Sequence, residues 1–188
     1  AMKIRATREY GAEVVLYDRY TQDREAVSRQ LAAERGMTVV PPFNHAHVMA
    51  GQGTAALELI EQVRDLDGGA LDLLLVCVGG GGLISGIAVA ARAQRPELEI
   101  FGVQSARFPS MKQALAGEPI VCGDSTIAGG IAVKVPGALT RPIVREHVRE
   151  ILLVDEEQIE AAILLLLEIE KTVAEGAEAV EKSGVGRA

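Results

Sequence analysis

An α/β fold built on a parallel sheet is predicted by three features of the sequence. Residues 1–40 alternate between helix-like and strand-like runs, reading helix, strand, helix, strand. Residues 71–78 (LDLLLVCV) form a largely apolar run without period-two alternation, as a strand buried on both faces of a parallel sheet requires. That run enters four consecutive glycines, then an Ala-rich helical stretch, then a second strand-like run at residues 98–103, completing a βαβ unit.

Taken in order, residues 2–10 carry Lys3, Arg5, Arg8 and Glu9 around Ile4 and Ala6 and read as a surface helix ended by Gly11. Residues 12–17 (AEVVLY) read as a buried strand. Residues 21–35 place Val27 and Leu31 at helical spacing, with Thr21 as cap and Gly36 as terminator, and residues 37–40 read as a second strand before Pro41 and Pro42. Residues 41–50 are rich in turn formers and read as a loop, and residues 51–66 as an amphipathic helix closed by Asp67, Gly68 and Gly69. The helix after the glycines extends to Gln94, where Pro96 breaks it. Residues 109–116 suggest a short helix ended by Gly117, residues 126–133 an ordered loop, and residues 141–149 a helix with Pro142 in its first turn. Residues 151–154 read as a strand, and Asp155 caps a helix over residues 156–171 whose acidic face is solvated. Residues 181–188 read as a polar tail.

The 188 residues suffice for one domain with a sizeable core or two small ones. A net charge of -7 argues against nucleic acid and anionic membranes as partners, and 3% aromatic residues with no Trp argue against base stacking. Cys77 and Cys122 make no disulfide framework and are expected as free thiols in a reducing compartment. No charged and then apolar leader opens the sequence, and its longest fully apolar run, residues 161–167, is too short to span a bilayer. A cytoplasmic location is the expectation.

The chemistry concentrates in Val78-Gly79-Gly80-Gly81-Gly82-Leu83-Ile84-Ser85-Gly86. Glycine lets the backbone approach a ligand closely, and the first turn of the following helix offers N–H groups without intrahelical partners at the positive end of a dipole. This is the pattern of a phosphate cradle. A dinucleotide fingerprint cannot be threaded through it, because Ile84 or Ser85 falls on the last glycine, and Ile87 stands where a Walker motif needs lysine. His45 and His47 lack a third metal ligand, so no metal site is expected. Ser85 is a conceivable nucleophile with either histidine, although Gly82-Leu83-Ile84-Ser85-Gly86 is not Gly-x-Ser-x-Gly.

Five segments together carry a resemblance: ATREYGAEVV at residues 6–15, PFNHAHVMAGQGT at 42–54, VGGGGLISG at 78–86, residues 125–137 and VAEGA at 173–177. In this order and spacing the chain resembles threonine dehydratases (threonine deaminases) and their relative serine racemase, enzymes of the tryptophan-synthase-β-like fold that use pyridoxal phosphate. The resemblance implies a three-layer parallel-sheet large domain plus the remainder of a small α/β domain. It implies that residues 1–40 are part of the small domain, 41–177 part of the large cofactor-binding domain and 178–188 a divergent tail. It further implies that Gly79, Gly80, Gly81, Gly82 and Leu83 hold the cofactor phosphate through backbone N–H groups.

In the family the reaction is a β-elimination that turns threonine or serine into a 2-keto acid and ammonia. It needs a Schiff-base lysine on a Ser-x-Lys-x-Arg-Gly motif and an asparagine on Ser-x-Gly-Asn-His. The resemblance places both upstream of Ala1, and it places a further strand, with a Ser or Cys that contacts the pyridine nitrogen, beyond Glu175-Gly176-Ala177, so the chain is expected to be truncated at both ends. Lys3-Ile4-Arg5-Ala6 lacks the serine and glycine of the lysine motif, and Lys112, Lys134, Lys171 and Lys182 fit no such motif. Gly129 stands where the family usually has an acidic residue, Glu178 interrupts a small-residue pattern, and Gln104 stands near a glutamate that binds a divalent cation in some relatives. A neutral amide is a poorer ligand for such a cation, so no metal is expected there. The expectations are therefore a lyase-type fragment without its catalytic lysine, an amino acid or phosphate-bearing small molecule as ligand, and a homo-oligomer formed through surface left uncovered. The alternatives are a remnant that binds a phosphate-bearing molecule and one that has acquired a hydrolase activity.

Overall fold

The structure is a computed structural model that describes residues 2–18, 21–67 and 71–185. It divides into two compact units, Ala1–Val40 and Pro41–Ala188. In the first unit, α1 (Met2–Glu9) is followed by Gly11 at φ 85°, and α2 (Arg24–Arg35) ends at Gly36 with φ 63°. The cap of α2 is Asp23 and not Thr21: its carboxylate accepts the Ala26 N–H at 2.7 Å, a stronger acceptor for an orphan helix donor than a hydroxyl. Neither expected strand forms. Residues 12–17 and 37–40 pair in no ladder among the described residues, and Leu16 and Val40 stay largely exposed. A β-rich run becomes a strand only against a neighbour that takes its N–H and C=O groups, and here none does. Arg35 makes a two-pronged pair with Glu13 at 2.6 and 3.1 Å, and that hydrogen bond holds the Glu13 carboxyl below its usual range.

The second unit holds the sheet. Its elements are α3 (Ala46–Asp67), β1 (Leu73–Cys77), α4 (Gly82–Gln94), β2 (Glu99–Ser105), α5 (Ser110–Ala116), α6 (Thr140–His147), β3 (Glu150–Val154), α7 (Glu156–Leu165) and α8 (Gly176–Gly184). The strands are parallel in the order β1-β2-β3, with Val76 opposite Gly102 and Val103 opposite Leu152. Alternate strand residues feed two cores. Val76, Val78, Ile100 and Ile151 pack with Ala56, Ile60, Ile84 and Ala88 of α3 and α4. On the opposite face, Val103 and Val154 pack with Ile159, Ala162, Ala177 and Val180 of α7 and α8. Both faces are covered by helices, as the unalternating apolar run at residues 71–78 requires.

Three boundaries depart from the sequence reading. Helix α3 begins at Ala46, so His47 lies on a helix, and Gly51 and Gly53 are inside it. Gly53 is there for close approach: a Cβ on it would lie 2.8 Å from the Gly86 carbonyl oxygen, where α3 crosses α4. Helix α7 has the expected Asp155 cap, in a reciprocal box with Gln158, but its α-helical part stops at Leu165. A wider π turn, Leu166–Glu170, follows and ends at Lys171 in the left-handed region, φ 56°. The expected polar tail is helical as far as Gly184. Ala177, Val180 and Gly184 recur at helical spacing and are buried, while Glu178 accepts the Glu175 N–H at 2.9 Å to close a second capping box. Among the described residues no helix is long and apolar enough to cross a membrane.

Candidate functional site

The site forms where β1 ends. The Val78 N–H makes the last bond to β2, at 2.8 Å from the Val103 carbonyl, and the chain then turns through Gly79, Gly80, Gly81 and Gly82 into α4. The turn therefore lies at the carboxyl end of a parallel strand and the amino end of a helix, where open α/β sheets bind ligands. The glycines are fixed by their neighbours. A Cβ on Gly80 or Gly82 would strike Phe43, and one on Gly79 would lie 3.1 Å from the Ile131 Cα. Gly81 caps α4 at φ 91°, with Met111 and Thr140 packed behind it.

The backbone groups of this loop divide cleanly. Its carbonyls are used: Gly81 O accepts from the Ser85 N–H at 3.0 Å, and Gly80 O accepts from the Gly137 N–H at 3.1 Å and the Thr140 hydroxyl at 2.7 Å. The N–H groups of Gly79, Gly80, Gly81, Gly82, Leu83 and Ile84 have no acceptor among the described residues. Gly80, Gly81, Gly82 and Ile84 are buried, and Gly79 and Leu83 half-buried. Buried N–H groups are almost always paired, so a row without protein partners at a helix amino terminus calls for an external acceptor. A phosphate, with three acceptor oxygens and negative charge, fits that donor set.

Two loops wall the cup. Asn44 Oδ1 accepts the Leu139 N–H at 2.8 Å, bracing the turn that carries Gly137. The loop at residues 126–133 is anchored by Glu156, which accepts the Thr126 hydroxyl at 2.6 Å and the Ile127 N–H at 2.8 Å, and by Ser110, whose hydroxyl donates to Val133 O at 2.6 Å. The sequence reading missed Phe43, Asn44, Gly137 and Thr140 as parts of the site. Phe43, Asn44 and Gly137 lie in two of the segments that carry the resemblance and Thr140 lies just beyond one, but nothing in local spacing says which distant loop backs a glycine turn.

The other candidates are not assembled into a site. Ser85 is fully buried and its hydroxyl donates to Thr140 O at 3.4 Å, while His45 and His47 are exposed and stack edge-on with ring centres 5.4 Å apart. Lys112 Nζ donates to Ile151 O at 2.7 Å, and Lys171 Nζ donates to Glu168 O at 2.7 Å. Gln104 is buried, with Oε1 accepting the Lys112 N–H at 3.2 Å and Nε2 without a partner among the described residues.

Cys77 is a neighbour of the loop. Its N–H donates to Glu181 Oε1 at 2.9 Å, and burial, with the Glu181 charge added, pushes its thiol up to about 12. Burial also raises the Cys122 thiol, against the pull of Lys134. A thiol reagent at about pH 8 is expected to label Cys122 well before Cys77, read by mass spectrometry of the peptides, because the thiolate is the reacting form. The unfolded Cys77 thiol ionises near 9.0 and the folded one near 12, so the unfolded chain loses its proton first. This contribution to stability is complete below the lower value and declines across the interval, by at most about 1.4 kcal/mol per pH unit. In urea titrations Cys77→Ala is expected to lose less stability than the parent over that range.

Comparison with known proteins gives the context. A family profile described as pyridoxal-phosphate dependent enzyme matches residues 1–186. An L-threonine ammonia-lyase of Geobacter sulfurreducens is 47% identical over 180 residues, covering 95% of this chain and 44% of the relative. A serine racemase of Schizosaccharomyces pombe is 43% identical over 159 residues, covering 84% of this chain and 48% of that protein. The crystal structure of a threonine deaminase from T.th. superposes with a TM-score of 0.90 at 37% identity, over 98% of this chain and 61% of that one. The chain thus spans about half the length of the curated relatives it matches. With its parallel α/β sheet and the match along nearly its whole length, the chain belongs to the pyridoxal-phosphate dependent enzyme family, on the threonine ammonia-lyase and serine racemase side of it.

Proposed function

We propose that Gly79, Gly80, Gly81, Gly82 and Leu83 hold the phosphate of pyridoxal phosphate, and that the activity served is ammonia release from a β-hydroxy amino acid such as threonine or serine. The observation that carries this reading is the row of six N–H groups at the start of α4 that have no acceptor among the described residues. When bound, the cofactor supplies an electron sink for the negative charge left on the substrate's α-carbon. The residues of this chain bind and orient. The glycine N–H groups and the positive end of α4 hold the phosphate, Phe43 packs against the loop, and Asn44 and Glu156 fix the two loops beside it.

The chemistry also needs a lysine at the cofactor's aldehyde carbon, and no lysine of this chain stands in the family's motif. Lys112 and Lys171 are already bound to main-chain carbonyls. The 188-residue chain is accordingly expected to bind the cofactor without turning over threonine. The test is incubation with pyridoxal phosphate and threonine, an assay for 2-keto acid, then borohydride reduction and peptide mapping. No keto acid and no single modified lysine are expected; either one appearing contradicts the assignment. A hydrolase reading has no support in the geometry, because Ser85 is buried against Thr140.

A further inference from the structure

We infer that Thr140 is a positioning residue that aims the Gly81 N–H into the phosphate cup; this rests on the phosphate reading above. A peptide group is planar and trans, so its N–H points away from its own C=O. The carbonyl of Gly80 and the N–H of Gly81 belong to one such plane. On the carbonyl side the plane is held twice, by the Thr140 hydroxyl at 2.7 Å, nearer than its other acceptor, the Gly137 carbonyl at 3.2 Å, and by the Gly137 N–H at 3.1 Å. The Gly81 N–H is therefore turned to the opposite side, where no acceptor stands among the described residues.

Thr140 is itself fixed. It is fully buried in the first turn of α6, its carbonyl accepts from Ser85, and the adjacent Leu139 N–H is held by Asn44. It also packs directly behind Gly81, since a Cβ there would lie 2.9 Å from the Thr140 Cβ. Without the hydroxyl, the Gly80 carbonyl keeps one hydrogen bond and the plane can rotate about the flanking glycine torsions. The ligand then has to order a donor that the parent protein presents ready-made. The arrangement works for any phosphate ester and for inorganic phosphate, because it concerns the loop and not the rest of the ligand.

The test compares Thr140→Ser with Thr140→Ala. Both lose the γ-methyl group, and only the first keeps the hydroxyl. Inorganic phosphate is titrated by calorimetry and by amide proton–nitrogen NMR, following the Gly81 cross-peak, with a thermal melt for each variant. Thr140→Ser is expected to bind phosphate within about threefold of the parent and to retain the phosphate-induced Gly81 shift. Thr140→Ala is expected to bind about tenfold more weakly with that shift reduced, as for the loss of one well-aimed hydrogen bond. Equal affinity and equal shifts in both folded variants overturn the assignment and leave Thr140 as packing alone. If Thr140→Ala does not fold, Thr140→Ser decides, and loss of phosphate binding there overturns it. Failure of the parent protein to bind phosphate overturns the reading of the loop itself, and the role of Thr140 with it.

Discussion

Gly81→Ala is expected to weaken phosphate binding by at least about a hundredfold and to destabilise the second unit by roughly 2 kcal/mol. Two effects combine. Gly81 sits at φ 91°, a region that alanine enters only with strain. A Cβ at this position would also lie 2.6 Å from Met111 Cε and 2.7 Å from Thr140 Oγ1. The methionine end can move. Thr140 cannot move without releasing the Gly80 carbonyl, and that release disorders the donors the ligand needs. Calorimetric titration with phosphate and urea unfolding measure the two effects. Unchanged affinity in a folded Gly81→Ala protein would mean that this loop is a turn and nothing more.

The largest effect on stability is expected at Gly86. A Cβ there would strike the Met49 carbonyl oxygen and lie 2.7 Å from the Gly53 nitrogen. Both are backbone atoms of α3, so no side chain can swing aside, and the two helices must separate. Overpacking of this kind is expected to cost about 3 kcal/mol or more in Gly86→Ala. Gly51, on α3, provides the contrast, because nothing among the described residues lies within 4 Å of a Cβ built on it. Gly51→Ala is expected to stabilise by roughly 0.5–1 kcal/mol, since alanine loses less entropy in a helix interior. Urea midpoints of the two variants, moving in opposite directions, would separate helix propensity from helix approach.

What could be read in advance follows from how locally each feature is determined. The βαβ unit was legible because an unbroken apolar strand, four glycines and an Ala-rich helix are contiguous in the chain. The fate of residues 12–17 was not, since AEVVLY has strand composition but strand formation depends on a partner. Helix α8 escaped notice because Glu178, Glu181 and Lys182 mask a buried stripe of Ala177, Val180 and Gly184. At the site itself, Gly79, Gly80, Gly81 and Gly82 declared themselves by composition. Phe43 and Thr140 did not, because each meets the loop only through tertiary packing, and Asn44 did not, because it acts through the neighbouring turn at Leu139.

The central claim, that the glycine loop is a phosphate cup, is tested most directly by pairing two ligands that differ only in the phosphate. Pyridoxal phosphate and pyridoxal are titrated into the same protein and followed by absorbance and calorimetry. Pyridoxal phosphate is expected to bind at least about tenfold more tightly, and to lose that advantage in Gly81→Ala. Equal affinity for the two ligands, or an advantage that survives Gly81→Ala, would contradict the claim.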